Sequence, residues 1–322
     1  MNQKALRRIP LHKLMDLKVD YAFKQLFGSE RNQHITVVFL NAILQKTGRD
    51  RVSEVTFVNT EFGGEHAEDK QSRLDIVVKT QAEEFINVEI QLSNQHDMVK
   101  RTLYYWSRLY SSQLKKSMGY HKLNPTITIN ICNFTLFKQN ERYHNVYHLF
   151  ETETKQPLAV DDNVLEIHFI EMNKFLALWH AEKLNPLADI LARWLLLLGM
   201  VDARKNKVYD EIYKELEELA MKDEHLLEAF DVWQELSQSP EERMAYISRL
   251  KYILDEEAKY DHARDEGEKA GIEKGMEKGA HQKVLEIISN GIENNIPVEI
   301  IAVMTKLSID EVQKIIKNNQ LD

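Results

Sequence analysis

A chain of 322 residues has room for about two domains at roughly 150 residues each, and its formal net charge of −9 excludes a protein that coats DNA by bulk electrostatics, leaving local basic patches open. Hydrophobic residues make up 43% and charged residues 29%, which suits a globular protein able to bury a full core. The lone cysteine, Cys132, excludes an internal disulfide and a four-cysteine zinc site, and points to a reducing, cytoplasmic compartment.

At the N-terminus basic residues have no apolar run behind them, so no signal peptide is expected. Val19 to Phe27 places apolar and aromatic residues at helical spacing before Gly28, which predicts a short helix. His34 to Leu44 predicts a second, largely buried helix, closed by the polar turn Lys46–Asp50. Apolar residues alternate from Val52 to Asn59, as in a strand, and the Gly-rich, charged segment Glu61–Lys70 reads as a loop. Leu74–Lys79 and Phe85–Leu92 are β-branched runs joined by Thr80–Glu84, hence a hairpin. A helix over His96–Lys116 and strands over Thr126–Phe134 and Leu165–Ile170 follow. Residues 1–180 therefore read as a mixed α/β domain on a sheet of about four to six strands.

Pro186 to Tyr260 reads as helical throughout with a break at Pro240, giving a helical region over 181–260. Its most apolar run, Ile190 to Val201, is interrupted by Arg193 and is shorter than the roughly 20 residues of a membrane span, so a soluble protein is expected. Over 261–283, Gly267, Gly271, Gly275 and Gly279 fall along one stripe of a helix set in Glu and Lys. Each exposed Gly costs about 1 kcal/mol relative to Ala, which reads as a weakly helical connector, with close helix–helix contact along the stripe as the alternative. Residues 284–322 read as three short helices with a Ser308/Glu311 capping box, the pattern of a helix-turn-helix unit.

Asp75 interrupts an otherwise apolar strand, where a carboxylate is costly without a compensating partner. Glu89 and Gln91, two apart on the partner strand, share one face, and the connecting turn lets Asp75 and Glu89 lie side by side. Two carboxylates a few Å apart repel unless a divalent cation sits between them. Magnesium suits such a place: it takes oxygen ligands from one or two carboxylates, water and substrate phosphate, and it acidifies the water it binds. The Ile90 carbonyl could add a ligand, and Gln91 could orient water or a phosphate oxygen. Taken alone the pattern D-x13-E-x-Q is weak, and a solvated hairpin face can carry the same residues.

The ordered set Lys18-Val-Asp20-Tyr-Ala-Phe-Lys24-Gln-Leu-Phe27-Gly28, Phe39-Leu-Asn41-Ala-Ile-Leu44, Arg73-Leu-Asp75-Ile-Val and Asn87-Val-Glu89-Ile-Gln91 resembles the recombination-promoting nuclease (Rpn) family, also described as PD-(D/E)XK nuclease family transposases. Tyr104-Tyr105-Trp106, the strand around Asn130, the glycine-spaced connector and the helical tail continue the likeness over most of the chain. The resemblance implies a restriction-endonuclease-like α/β core, a mixed sheet flanked by helices and followed by an all-α C-terminal region, that cuts DNA with a divalent cation in a family linked to recombination. Asp75 matches the metal-binding aspartate, Glu89 the second acidic position, and Gln91 the position usually filled by lysine. Leu74 stands where the superfamily motif has its proline. The glutamine, which the family generally shows, removes a positive charge whose loss can cost about 3–4 kcal/mol, and points to slow turnover or another proton path.

Asp20 and Lys24 lie one helical turn apart, where superfamily members often add an acidic residue to the metal shell and where a surface ion pair is the plainer reading. Lys100, Arg101, Tyr104 and Arg108 make a basic, aromatic-bearing helix able to track a DNA backbone, with Arg101 facing phosphate; alternatively Tyr104 and Tyr105 pack on the sheet and the cations are solvated. His144 and His148 have metal-ligand spacing on a helix but no third ligand, so they read as core or surface histidines, and Cys132 as an inert core thiol. Lys314 and Lys317 in the terminal unit could face phosphates, with structural packing or self-association as the alternative.

The expectation is a Mg2+-dependent DNA endonuclease, with Mn2+ or Ca2+ as substitutes, acting as a homodimer because one site cuts one strand. The alternative is a non-catalytic DNA- or protein-binding module on a degenerate nuclease core, with RNA as a third possible target.

Overall fold

The computed structural model describes residues 9–45, 50–59, 61–62, 72–94, 97–158 and 164–319, and the chain forms two compact units, Met1–Tyr252 and Ile253–Asp322. The first opens with helices α1 (Asp20–Phe27) and α2 (Gln33–Leu44). Gly28, after α1, has to be small: a Cβ there would lie 2.9 Å from the Lys24 carbonyl and 3.1 Å from Ile76 Cγ1, so the helix end closes directly on a strand. Strand β1 (Val55–Phe57) is shorter than the predicted Val52–Asn59. The Asn41 side chain explains its late start, because it bonds both the N–H and the carbonyl of Val52, at 2.9 and 2.7 Å, and ties that residue to α2.

Most of the predicted Glu61–Lys70 loop and of the Lys46–Asp50 turn lies outside the described residues; Glu61–Phe62 forms β2, paired with β3 (Ser72–Arg73). Next come β4 (Ile76–Thr80) and β5 (Phe85–Gln91), the expected hairpin, with Ile76 opposite Val88. Helix α3 (Met98–Ser112), strands β6 (Thr126–Cys132), β7 (His144–Tyr147) and β8 (Leu165–Glu171), and helix α4 (Met172–His180) complete the α/β part.

Six of these strands make one mixed sheet in the order β1-β4-β5-β6-β8-β7, with β5, β6 and β8 mutually parallel and the other pairings antiparallel. β6 is buried along its whole length. Alternate residues of β4 meet different helices: Ile76 packs at Gly28, and Val77 packs with Leu109 and Tyr105 of α3. Helices thus flank the sheet on both faces, the architecture of a PD-(D/E)XK nuclease fold.

The helical spacing read at His144 and His148 is corrected by β7, an edge strand antiparallel to β8. In extended backbone four residues span about 13 Å, too far for one ion.

Beyond α4 the chain is not helical throughout. Helix α5 (Ile190–Gly199) is followed by a short hairpin, β9 (Val201–Asp202) and β10 (Lys207–Val208), then by α6 (Asp210–Ala220), α7 (Glu224–Gln238) and α8 (Pro240–Glu293). Pro240 does not break a helix but opens one, at the position where a missing N–H costs nothing. Trp194 of α5 sits edge-on to Phe27 and Phe39, at 6.0 and 5.8 Å between centroids, while those two rings stack at 4.4 Å. Trp233 of α7 donates to the Met15 carbonyl at 3.0 Å. These helices share their core with α1 and α2. Among the described residues no helix is long and apolar enough to cross a membrane.

In the second unit α9 (Val298–Thr305) and α10 (Ile309–Asn319) pack Ile301, Ala302 and Val312 against Ile288 near the end of α8. The expected capping box is formed: the Ser308 N–H donates to Glu311 Oε2 at 2.8 Å and the Glu311 N–H to Ser308 Oγ at 3.3 Å. Gly267, Gly271, Gly275 and Gly279 lie within α8, and a Cβ on any of them would meet nothing within 4 Å among the described residues.

A buried ion pair ties the N-terminal segment to the β9–β10 hairpin. Lys18 Nζ lies 2.8 Å from Asp16 Oδ1 and also donates to the carbonyls of Leu198 and Val201, while Asp16 Oδ2 accepts the Ala203 N–H at 2.9 Å. Removing one member of a buried pair leaves an uncompensated charge. Asp16→Ala is expected to lower unfolding free energy by about 3–5 kcal/mol in urea titrations, and a loss below about 1 kcal/mol would show that Lys18 has found water instead.

Candidate active site

The hairpin register sets the site. With Ile76 opposite Val88, the next position along brings Asp75 beside Glu89. The Asp75 N–H donates to Glu89 Oε1 at 3.1 Å, and Asp75 Oδ2 accepts the Ile90 N–H at 3.0 Å. On the other edge of β5 the Gln91 carbonyl accepts the Asn133 N–H at 2.9 Å. Successive residues of a strand turn their polar groups to opposite edges, so the Ile90 carbonyl faces the Asp75 side with its N–H. Both carboxylates are withdrawn from solvent, the Asp75 side chain 7% exposed and Glu89 3%. Gln91 stands two residues beyond Glu89, half-buried.

Cations reach this pair from two helices. Lys24 of α1 places Nζ 2.8 Å from Asp75 Oδ1 and 4.0 Å from Asp20 Oδ2, so the i,i+4 pairing expected from sequence is the looser of its two contacts. Asp20 is gripped instead by Arg249 of α8, which donates to both its oxygens over 2.7–3.0 Å. Nothing in the sequence marks Arg249, which lies 229 positions away among other charged helical residues.

From α3, Arg101 turns inward. Its Nε and Nη2 are shielded from solvent, its guanidinium lies 5.8 Å from the Tyr105 ring centroid, and its charge acts on Glu89. Tyr105 packs against Leu74, Val77 and Leu109, whereas Lys100 and Tyr104 are exposed and Arg108 is half-buried. The four α3 residues singled out from sequence therefore divide between an inner position and an outer surface.

Burial raises Glu89 from the usual carboxylate range to about 8; the neighbouring charge of Asp75 adds to the rise, and the Asp75 N–H, Arg101 and Lys24 oppose it. Asp75 is raised too, by burial first, with Lys24 as the main opposing influence. Both carboxyl groups are thus costly to ionise, chiefly because they are buried, a cost that a divalent cation bound between them would offset. Among the described residues no three His, Cys, Asp or Glu side chains converge on one point. An ion here would rest on Asp75, Glu89 and the Ile90 carbonyl and take its other ligands from water and phosphate, which fits the way magnesium is held.

Other titratable groups lie apart. His144 Nε2 meets His168 Nδ1 at 2.9 Å, and His168 Nε2 meets Glu166 Oε1 at 2.6 Å; burial lowers His144 to about 4. Burial pushes the Cys132 thiol up to about 12, which makes it inert as a nucleophile.

A mixed sheet flanked by helices, with an acidic pair where an antiparallel hairpin joins the parallel strands, defines a nuclease scaffold of the restriction-endonuclease-like class. The family model described as PD-(D/E)XK nuclease family transposase matches residues 17–263, and the chain belongs to that family. No curated protein and no solved structure matches the chain. Membership supports a nuclease or mobile-element role, and the matched span includes Lys24, Asp75, Glu89 and Arg249.

A raised carboxylate has a thermodynamic consequence. Folded Glu89 keeps its proton up to about pH 8, whereas the unfolded chain releases it near the ordinary 4.5. Over that window the unfolded state binds fewer protons, so metal-free stability falls as pH rises from about 4.5 towards about 8 and then levels. Melts in chelator between about pH 6 and about pH 9 should show this fall in wild type and a flatter profile in Glu89→Gln. Identical slopes would mean that Glu89 ionises freely.

Proposed function

We propose that this protein is a Mg2+-dependent DNA endonuclease that hydrolyses phosphodiester bonds in recombination or in the movement of mobile elements, with Mn2+ or Ca2+ able to replace Mg2+. The observation that carries this reading is the buried Asp75–Glu89 contact, two carboxyl groups brought together by the hairpin and costly to ionise without a cation between them. Asp75, Glu89 and the Ile90 carbonyl would hold the ion, which when bound would activate water and offset charge on the phosphoryl oxygens.

The chain's own groups do the rest. Gln91, on the face of Glu89, orients the attacking water or a phosphate oxygen through its amide. It brings no charge where the superfamily has lysine, and Lys24, with its ammonium 2.8 Å from Asp75, supplies one from another element. That ammonium steadies negative charge building on the phosphate. Asp20, with both oxygens engaged by Arg249, stands outside the ion's ligands and takes no part in the step itself. Lys100, Tyr104 and Arg108 follow the DNA backbone along α3, with Arg101 at the inner edge of that track. Cleavage of both strands calls for two copies of this single site, hence a homodimer, and the lone cysteine suits a cytoplasmic setting.

Supercoiled plasmid incubated with purified protein and Mg2+ or Mn2+ should be nicked, and Asp75→Asn or Glu89→Gln should lower the rate by at least about 100-fold. Lys24→Met should lower it by about tenfold or more. Equal nicking by wild type and Asp75→Asn, or no strand breaks under any cation, removes the proposal. DNA binding that persists in chelator without breaks would favour the non-catalytic module, which the uncharged Gln91 keeps in view. Cleavage of matched RNA and DNA strands separates the two substrates.

A further inference from the structure

We propose that Arg249 is a positioning residue of this site: by occupying both oxygens of Asp20 it directs the Lys24 ammonium onto Asp75. The consequence for turnover rests on the nuclease reading above, while the placement of Lys24 rests on side-chain geometry alone.

Lys24 has two carboxylates within reach. One is Asp20, a turn back on its own helix, the default partner for a lysine at that spacing. The other is Asp75, beside Glu89. Left to itself, an ammonium between two carboxylates is shared or taken by the nearer and less encumbered one.

Arg249 removes that competition. Its Nε donates to Asp20 Oδ1 at 2.8 Å and to Oδ2 at 3.0 Å, and a terminal nitrogen donates to Oδ2 at 2.7 Å. The Tyr21 N–H adds a further bond to Oδ1 at 2.8 Å. A planar guanidinium matches a carboxylate in this two-point manner, whereas a lysine is a point charge and cannot. With Asp20 neutralised, Lys24 stays 4.0 Å from it and closes to 2.8 Å on Asp75.

The start of α8 is fixed so that Arg249 can do this. Tyr21 Oη donates to Glu242 Oε2 at 2.7 Å, the Asp16 N–H donates to Tyr246 Oη at 3.0 Å, and Arg243 donates to the Lys13 carbonyl at 2.8 Å. The Arg249 guanidinium also lies 5.1 Å from the Tyr252 ring centroid. Arg249 makes no hydrogen bond to Asp75 or Glu89 in these contacts; its charge reaches Asp75 through space, and its hold on the site runs through Asp20.

Two crystal structures and one rescue decide the matter. In Arg249→Ala, Lys24 Nζ should leave Asp75 for hydrogen-bond distance of Asp20, and plasmid cleavage should fall by about tenfold or more, in kcat with KM for DNA little changed. In the double variant Arg249→Ala/Asp20→Asn the competing charge is gone, so Lys24 should return to Asp75 and cleavage to within about threefold of wild type. Lys24 remaining on Asp75 in Arg249→Ala, or no recovery in the double variant, overturns the proposal. Should Arg249→Ala fail to fold, Arg249→Lys, whose single ammonium cannot match both Asp20 oxygens, takes its place: Lys24 should move towards Asp20 and cleavage should fall, and Lys24 unmoved on Asp75 overturns the proposal. If wild type cleaves nothing, the nuclease reading fails, and the position of Lys24 in the two structures still settles the role of Arg249.

Discussion

Two carboxyl groups held together out of water are the constraint around which this molecule is arranged. The hairpin leaves Asp75 and Glu89 no choice: one donates its N–H to the other, and the next N–H along β5 closes back on Asp75. Burial raises both carboxyl groups first, the charge of Asp75 adds to the rise of Glu89 and that of Asp20 to the rise of Asp75, and each cation nearby reduces that cost only in part. A scaffold that keeps such a pair pre-assembled bears a standing cost of burying two ionisable groups. On the proposed reading, rigid placement of the pair matters more than the size of that cost, because a hard cation would need its oxygen ligands in position before substrate arrives.

Support for the pair comes from elements far apart in the chain. α1 contributes Lys24, α3 contributes Arg101, and the first turns of α8 contribute Arg249, so three helices on different faces of the sheet converge on one end of a hairpin. The N-terminal segment is itself held by the buried Asp16–Lys18 pair and by the Trp233 bond to Met15. Helices α5 to α7 consequently belong to the machinery that holds α1 still. Lys24 also changes the meaning of Gln91. A charge missing from one strand position is present in space from another element, so the uncharged glutamine does not by itself leave the site without a cation.

Much of the fold was legible because burial and periodicity agree locally. α1, α2, the β4–β5 hairpin and β6 each carry an apolar pattern that only one secondary structure can bury. The reading failed where local pattern and tertiary context part. His144 and His148 have helical spacing, yet the edge of the sheet recruits His144–Tyr147 as a strand because β8 offers an unpaired row of backbone groups. Val52 looked like strand and was taken by the Asn41 side chain. The β9–β10 hairpin is too short to leave a periodic signal inside a helical stretch.

Within the site the same division holds. Residue types and spacing along two strands determined that Asp75 and Glu89 could meet, since side-chain alternation and a short turn are local properties of the backbone. The ordered motifs around them were enough to indicate the family. Which cation serves which carboxylate was decided only by tertiary structure. Lys24 could pair with its helical neighbour or with a strand, and the arginine that grips that helical neighbour comes from 229 residues away. Electrostatic partners act through space at a few Å, and distance along the chain carries no record of them.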